Sequence, residues 1–387
     1  MGIADTYSRG RRLVVERPLV LVLGLVAVLF LLDLARKVTA GSLSVASLAT
    51  FLEEGLILGL VLGLAGVGLS MTYAILGFAN FAHGDYISAG AFAGWATTYV
   101  IGGLGTLPLG DLLLLGVSGD ANAGTVGASV TSTPVATLVG FVVAVAFAAL
   151  LTLGIDRLAF KPMREQEGIA LLIASIGVAL ALRYVLAFVF GTSSSGLTAG
   201  DPSILTIPPI TIPDFAILGF EISGVAVLRS PISITAHELT LTFGAVALLV
   251  GVHLLLQRTK LGTAMRAMAD NRDLARVTGI PTESVVRATW LVGGGLSGAA
   301  GYLIVLWRGT IAFDFGWVLL LLIFAAVILG GIGSVYGAMF GGLTIGIAQN
   351  LSLIWLPSEF STAAAFGVMI LVLIFKPAGL FGGVTTA

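Results

Sequence analysis

Apolar runs of membrane-spanning length recur along the chain and are interrupted at only a few places by tight groups of polar residues. A bilayer core takes roughly 20 apolar residues per helix, and fewer where a half-helix is buried in protein. By that measure helices are expected over 18–34, 52–76, 80–102, 134–155, 169–190, 239–257, 287–306, 318–333, 336–352 and 362–376, about ten in all. The pattern predicts an all-α fold, a polytopic membrane helix bundle with some short or broken spans. Glycines at four-residue spacing (Gly55, Gly59 and Gly63; Gly90 and Gly94; Gly294 and Gly298; Gly337 and Gly341) form stripes on single helix faces, where backbones approach closely.

Composition agrees: 57% of the 387 residues are hydrophobic and 10% charged, against about a quarter charged in a soluble domain. The formal net charge of −1 is spread thinly and leaves no basic face, so nucleic acid is excluded as an expected partner. With no cysteine there are no disulfides, thiol nucleophiles or thiolate metal sites. His83, His237 and His253 lie far apart, so no metal site and no cofactor is expected. There is no HExxH and no Gly-x-Ser-x-Gly, and no catalytic residue is assigned.

Lys and Arg gather in short cytoplasmic loops of membrane proteins. Arg157, Lys161 and Arg164 in "DRLAFKPMRE" (156–165), and the six arginines and lysines of 258–287, mark two such loops. With the basic tail 1–17 also inside, both termini are expected in the cytoplasm, and Arg36 and Lys37 are exceptions on the outer side. Arg9, Arg11, Arg12 and Arg17 ahead of an apolar run resemble a signal peptide, but Asp33, Arg36 and Lys37 between that run and "VTAG" argue against cleavage. "MGIADT" fits a myristoylation pattern that a polytopic chain does not need. The expected organisation is a tail (1–17), a membrane domain (18–376) containing a cytoplasmic segment (263–279), and a C-terminal tail (377–387). Residues 103–133 and 191–238, rich in Gly, Ser, Thr and Pro with Asp111, Asp120, Asp201, Asp214 and Glu221 against Arg229, are expected as outer loops that meet an external protein or serve as passive linkers.

The stretch "GFANFAHGDY" (77–86) places Asn80, His83 and Asp85 between Gly77 and Gly84. In hydrocarbon a broken backbone is tolerated only against protein or a water-filled path. The stretch therefore reads either as a helix break lining a translocation route or as a cytoplasmic hairpin whose polar residues cap helix ends. A second interruption, "ILGGIGSVYGAMFGGLTIG" (328–346), is similar to "ILGFANFAHGDYISAGAFAG" (75–94), and corresponding interruptions in two halves point to a transport path. It puts Gly330, Gly331, Gly333 and Ser334 beside Asn80, His83, Gly84 and Asp85 as path candidates. It lacks the strand and the Gly-Lys-Ser/Thr of a nucleotide loop. Arg183, deep in a span, must pair, snorkel or face water, and joins the path candidates. His253 reads as a packing residue.

"RTKLGTAMRAMADNRDLARVTGIP" predicts a helix from Thr263 to Val277 that stops at Gly279 and Pro281. Ala264, Met265, Met268, Leu274 and Val277 form an apolar stripe, opposite Arg266, Asp270, Arg272, Asp273 and Arg276. Mixed charge favours a protein groove over a lipid surface.

"NFAHGDY", "ASIGVALALRY", "GTAMRAMADNRDLARVTGI" and "ILGGIGSVYGAMFGG", in that order and followed by "KPAGLFG" at 376–382, resemble the permeases of branched-chain amino acid ABC importers, closest to the H-type subunit of the Liv system. The resemblance covers about residues 52–381; the N-terminal span and the two long outer loops depart from it. It implies a plasma-membrane importer of leucine, isoleucine and valine. Two permease subunits would form the path, two cytoplasmic ATPases would drive alternating access, and an extracytoplasmic solute-binding protein would deliver substrate. By the same resemblance 263–279 is the coupling segment, with Arg266, Asn271, Arg272, Asp273 and Gly279 toward an ATPase. The chain has no Walker A sequence, so ATP hydrolysis falls to partners and the chain itself is not an enzyme. Alternatives are a permease for urea or short amides, and an ion-coupled secondary transporter, for which the bundle offers few ionisable groups.

Overall fold

The computed structural model describes residues 18–382 apart from 106, 109, 111, 113–125, 165, 167, 199–202, 213, 214, 218, 219, 223, 224 and 227–230. The tail 1–17 and the outer-loop charges Asp111, Asp120, Asp201, Asp214 and Arg229 lie outside the described residues, as do 383–387 of the C-terminal tail. The helices are α1 (Pro18–Thr39), α2 (Val45–Leu76), α3 (His83–Gly103), α4 (Pro134–Ile155), α5 (Gly168–Phe190), α6 (Ala236–Arg258), α7 (Lys260–Asp270), α8 (Arg272–Val277), α9 (Thr282–Arg308), α10 (Phe315–Gly330), α11 (Val335–Ser352) and α12 (Ser361–Phe375). Each expected span carries a helix, and among the described residues six helical stretches are long and apolar enough to cross a membrane. The chain is a polytopic helical membrane protein.

The strands are β1 (Ser195–Gly196), β2 (Ser203–Ile207), β3 (Thr211–Ile212), β4 (Phe215–Ile217), β5 (Phe220–Ile222), β6 (Val225–Ala226), β7 (Ile232–Thr235) and β8 (Thr310–Ile311). β2 pairs with β7, β3 with β6 and β4 with β5, so part of the expected outer loop 191–238 is strand, which the sequence reading did not anticipate. The Ile, Thr and Phe content of "SILTI", "TI", "FAI" and "ISIT" suits a pleated ribbon and is camouflaged by the intervening Pro and Gly.

Contacts divide the chain into two units, one of Met1–Thr50 with Ile207–Ile232 and one of Phe51–Thr206 with Ser233–Ala387. In the first, Arg36 and Lys37 near the end of α1 pair with Asp33 at 2.7 and 3.5 Å, which settles their charges locally. Antiparallel β3–β6 and β4–β5 make up its ribbon.

In the second unit α3, α4 and α9 pack on one another most extensively. Glycine makes this possible. A Cβ on Gly90 would lie 2.6 Å from the Gly298 Cα and 3.0 Å from the Ala148 Cβ, so α3, α4 and α9 touch backbone to backbone. The stripe of α2 meets α11: a Cβ on Gly59 would lie 2.7 Å from the Leu343 Cα, and one on Gly55 2.9 Å from the Ile347 Cα. Without a hydrophobic drive between helices in lipid, such close approach supplies the packing attraction. The apolar stretch of α9 is 89% buried, whereas those of α4 and α5 are each 22% buried and turn large residues such as Leu138 and Phe188 outward. That apolar exterior is the surface lipid requires.

Gly298→Val forces a side chain against the Ala144 carbonyl and the Ala148 Cβ, and overpacking of this kind costs roughly 1–3 kcal/mol. Thermal unfolding of the purified protein should show a clear loss of stability for this variant. Gly177→Ala, at a glycine with nothing within 4 Å, should leave the midpoint in place; equal behaviour of the two would refute the packing account.

Candidate functional site

Between α2 and α3 the chain leaves helical geometry at Gly77, whose φ of 76° disfavours any side chain. The freed backbone is satisfied locally and across the bundle. The Phe81 amide donates to Ser175 Oγ at 3.0 Å and the Ala82 amide to Asn80 Oδ1 at 3.1 Å. Gly77 O lies 3.5 Å from the position a Gly168 Cβ would take, at the start of α5. Ser175 is roughly 10 Å further along that helix, at a ~1.5 Å rise per residue. The break therefore climbs from one end of the bundle into its interior. Asn80, His83 and Asp85 are buried there, and the residue preceding α3, Ala82, supplies no side-chain cap.

His83 Nε2 donates to the Ala65 carbonyl of α2 at 2.9 Å, and the Ser297 hydroxyl of α9 lies 3.4 Å from the same nitrogen. The carbonyl can only accept, so this contact requires the Nε2–H form of the ring. Asp85 is fully buried and accepts two hydrogen bonds from Arg183 of α5, Nε to Oδ1 and Nη2 to Oδ2, both at 3.1 Å. The guanidinium sits 4.5 Å from the centroid of the Trp317 ring, so the charge is covered by a carboxylate and an aromatic face. Arg183 thus takes the pairing reading among those open to it.

Trp317 belongs to the first turn of α10, and that turn meets the first turn of α3. Gly84 and Gly316 pack backbone on backbone, and the Gly316 amide donates to Ser88 Oγ at 3.1 Å. Sequence reasoning missed Trp317, Gly316 and Ser175. The signal was present in "RGTIAFDFGW" (308–317), a polar interruption before an unusually short span. Beside the break, Asn80, Tyr86 and Trp290 are buried; among the described residues Trp290 Nε1 meets no hydrogen-bond partner, and the Tyr86 and Trp290 rings lie edge to face at 6.5 Å.

The second interruption sits between α10 and α11. Gly331 (φ 106°) and Gly333 (φ 86°) turn the chain, and Ser334 caps α11 by accepting from the Gly337 amide at 3.0 Å. The tail folds back over this turn: the Leu380 and Phe381 amides donate to the Leu329 and Gly330 carbonyls at 2.8 and 2.9 Å. Gly330 packs against Gly337, so the path candidates 330–334 form one glycine-lined corner.

Both interruptions open on one cleft of about 760 Å³, lined among others by Tyr73, Gly77, Arg266, Asp270, Gly333, Ser334 and Phe381. The segment 263–279 is its third wall. It forms two helices, α7 and α8, where one was expected; Asn271 breaks them apart by capping α8, its Oδ1 accepting from the Leu274 amide at 2.9 Å. The break also dissolves the expected single stripe. Met265, Met268 and Ala275 are buried, whereas Leu274 and Val277 are 60% and 84% exposed. Asn271, Arg272, Asp273 and Gly279 are exposed, and Arg266 is half-buried in the cleft wall. Gly279 has φ 85°, and its amide bonds the Arg276 carbonyl at 3.2 Å. Of the remaining sequence candidates, His253 Nδ1 lies 2.7 Å from the Tyr336 hydroxyl at the start of α11. The basic stretch 156–164 is tied to α9 by Arg164, which bridges Asp156 at 2.5 Å and Glu283 at 2.6 Å.

Removing one partner of a buried pair strands the other charge, at about 3–5 kcal/mol. Asp85→Asn and Arg183→Gln should each lower the unfolding midpoint strongly, while the double variant recovers much of the loss. A double-mutant cycle should therefore return a coupling of about 3 kcal/mol or more; additive effects would show that the pair is not energetically linked.

Residues 51–374 match the family model for the branched-chain amino acid transport system permease component. The high-affinity branched-chain amino acid transport system permease protein LivH of Escherichia coli is 28% identical over 335 residues, 86% of this chain and 96% of that protein. The corresponding BraD of Pseudomonas aeruginosa is 27% identical over 331 residues, covering 86% and 94%. A probable branched-chain amino acid transport permease protein LivH of Methanocaldococcus jannaschii is 29% identical over 340 residues, covering 86% and 91%. With most of its length matched to the family, and with a polytopic bundle whose two helix interruptions open on one cleft, the chain belongs to the branched-chain amino acid transport system permease component family.

Proposed function

We propose that this chain is the membrane-spanning permease subunit of an ABC importer that takes up leucine, isoleucine and valine. It works with a second related permease subunit, two cytoplasmic ATPases and an extracytoplasmic solute-binding protein. The observation that carries the reading is the convergence of both interruptions with 263–279 on one cleft, because a nucleotide-driven push on that segment then acts directly on the places where helices are already broken. Asn80, His83, Gly84, Asp85, Arg183, Gly330, Gly331, Gly333 and Ser334 line or shape the path. Arg266, Asn271, Arg272, Asp273 and Gly279 form the coupling surface, with 1–17 and 377–387 as cytoplasmic tails of a plasma-membrane protein. ATP favours one opening of the bundle only through contacts that differ between the two openings.

The exposed, alternating charges of α8 support docking to a protein, and truncation of such contacts commonly costs ~2 kcal/mol or more. Arg272→Glu should uncouple ATP hydrolysis from uptake or release the ATPases, with receptor docking intact. Full receptor-stimulated hydrolysis, full uptake and retained ATPases in that variant would remove Arg272 from the coupling surface.

In reconstituted vesicles the complex should take up leucine with ATP and without an ion gradient. Gradient-driven uptake indifferent to ATP would favour a secondary transporter, and uptake of urea or a short amide in place of leucine would reassign the substrate. The cysteine-free chain also permits orientation to be read directly. A cysteine at Thr263 should react only with reagent supplied from the cytoplasmic side and one at Ser195 only from outside; the reverse pattern overturns the assigned topology.

A further inference from the structure

The cleft wall formed by α7 holds a chemistry beyond the exposed charges of α8. Arg266 and Asp270 stand one turn apart on the same face of α7 and both line it. Neither forms an ion pair among the described residues. Arg266 Nε is buried without a hydrogen-bond partner, and its two terminal nitrogens reach Gln257 Oε1 and Thr263 Oγ1 only at 3.5 Å, the outer limit of such bonds. The guanidinium therefore has donors to spare, in a planar fork that suits a carboxylate, and the Asp270 carboxylate nearby suits an ammonium group. Ala74, Ala267, Ala269, Ile332 and Phe381 supply apolar wall beside them.

A carboxylate acceptor, an ammonium donor and an aliphatic body on one small molecule describe a free α-amino acid with an apolar side chain. Arriving from the side of the bundle that carries α7, such a molecule is the delivered product of transport. We propose that the cleft is a product-binding site: a free aliphatic α-amino acid held between Arg266, Asp270 and the glycine corner at Gly333 ties α7 to the second interruption and slows further import. This rests on the importer reading above. A ligand biases such a device only by binding one arrangement of α7 better than the other, and one that bridges α7 and 332–334 favours the arrangement in which these are close.

The test uses the complete importer in vesicles, with receptor and labelled leucine outside and ATP inside together with increasing unlabelled leucine. Internal leucine should slow initial uptake. Leucinamide, which lacks the carboxylate, and 4-methylpentanoate, which lacks the ammonium group, should not do so at equal concentration. Asp270→Asn should raise the half-inhibitory concentration at least tenfold, read as the ratio of rates with and without internal leucine, so that any change in basal rate cancels. Equilibrium binding of labelled leucine to the purified complex without receptor should weaken by a similar factor in the same variant. Uptake indifferent to internal leucine, or inhibition and binding unchanged by Asp270→Asn, overturns the proposal. A wild-type complex that imports no leucine but still binds it through Asp270 would instead sink the importer reading and leave the site standing.

Discussion

A polypeptide that leaves the helix inside an apolar surrounding must find a partner for every amide it frees, because each unsatisfied group there costs several kcal/mol. The architecture of the core follows from how residues 77–82 meet that demand. Their amides turn to Ser175 of α5 and to Asn80 itself. Once those bonds are made, the position of α5 against α3 is set, and Arg183 on the same helix arrives opposite Asp85. A buried carboxylate and a buried guanidinium, each prohibitive alone in hydrocarbon, become tolerable as a bidentate pair under the Trp317 ring. Trp317 is placed because Gly84 and Gly316 let the first turns of α3 and α10 meet without side chains between them. One interrupted helix thereby positions two others, α5 and α10.

The second interruption is solved by different means. Gly331 and Gly333 turn with positive φ, and the tail donates the Leu380 and Phe381 amides to carbonyls at the end of α10. Borrowed side chains hold the first break in place across the bundle, whereas the second is closed by a segment close to the chain's own terminus. The two corners open on the same cleft, one secured by a side chain of another helix and the other by the Ser334 cap, the Gly330–Gly337 contact and backbone bonds from 380–381.

Much of this was legible because it obeys local rules. The polar group between Gly77 and Gly84 announced a break, the glycine stripes announced close packing, and apolar runs marked where helices lie. What could not be read was partnership across distance. Arg183 and Asp85 are 98 residues apart, and nothing in either local sequence selects the other. The Gly84–Gly316 meeting is equally non-local, although the polar residues before a short α10 were a usable hint. Two misses were local. Asn271 was a serviceable helix start in the middle of an expected helix, and its bond to the Leu274 amide split the segment in two. The ribbon within 203–235 hid behind prolines and glycines that read as loop.

That split bears on how force passes through the molecule. A continuous helix from 263 to 277 would move as a rod, carrying any displacement of its exposed end directly into the cleft. With a cap at Asn271, α7 and α8 are separate pieces. Met265 and Met268 bury α7, and Gly262 presses it against the Leu255 and Leu256 backbone of α6, whereas α8 stands largely exposed and leads through Gly279 and Pro281 into α9. A push on α8 therefore has two routes. One runs across Asn271 into α7 and the cleft; the other runs through Pro281 into α9, whose first turn Arg164 ties to Asp156 and whose middle supports the first break through Ser297 and His83. The route through α9 ends at the buried ion pair and the anchored break, and the route through α7 ends at the glycine corner. Displacement of α8 would thus reach both the anchored break and the glycine corner at Gly331–Gly333.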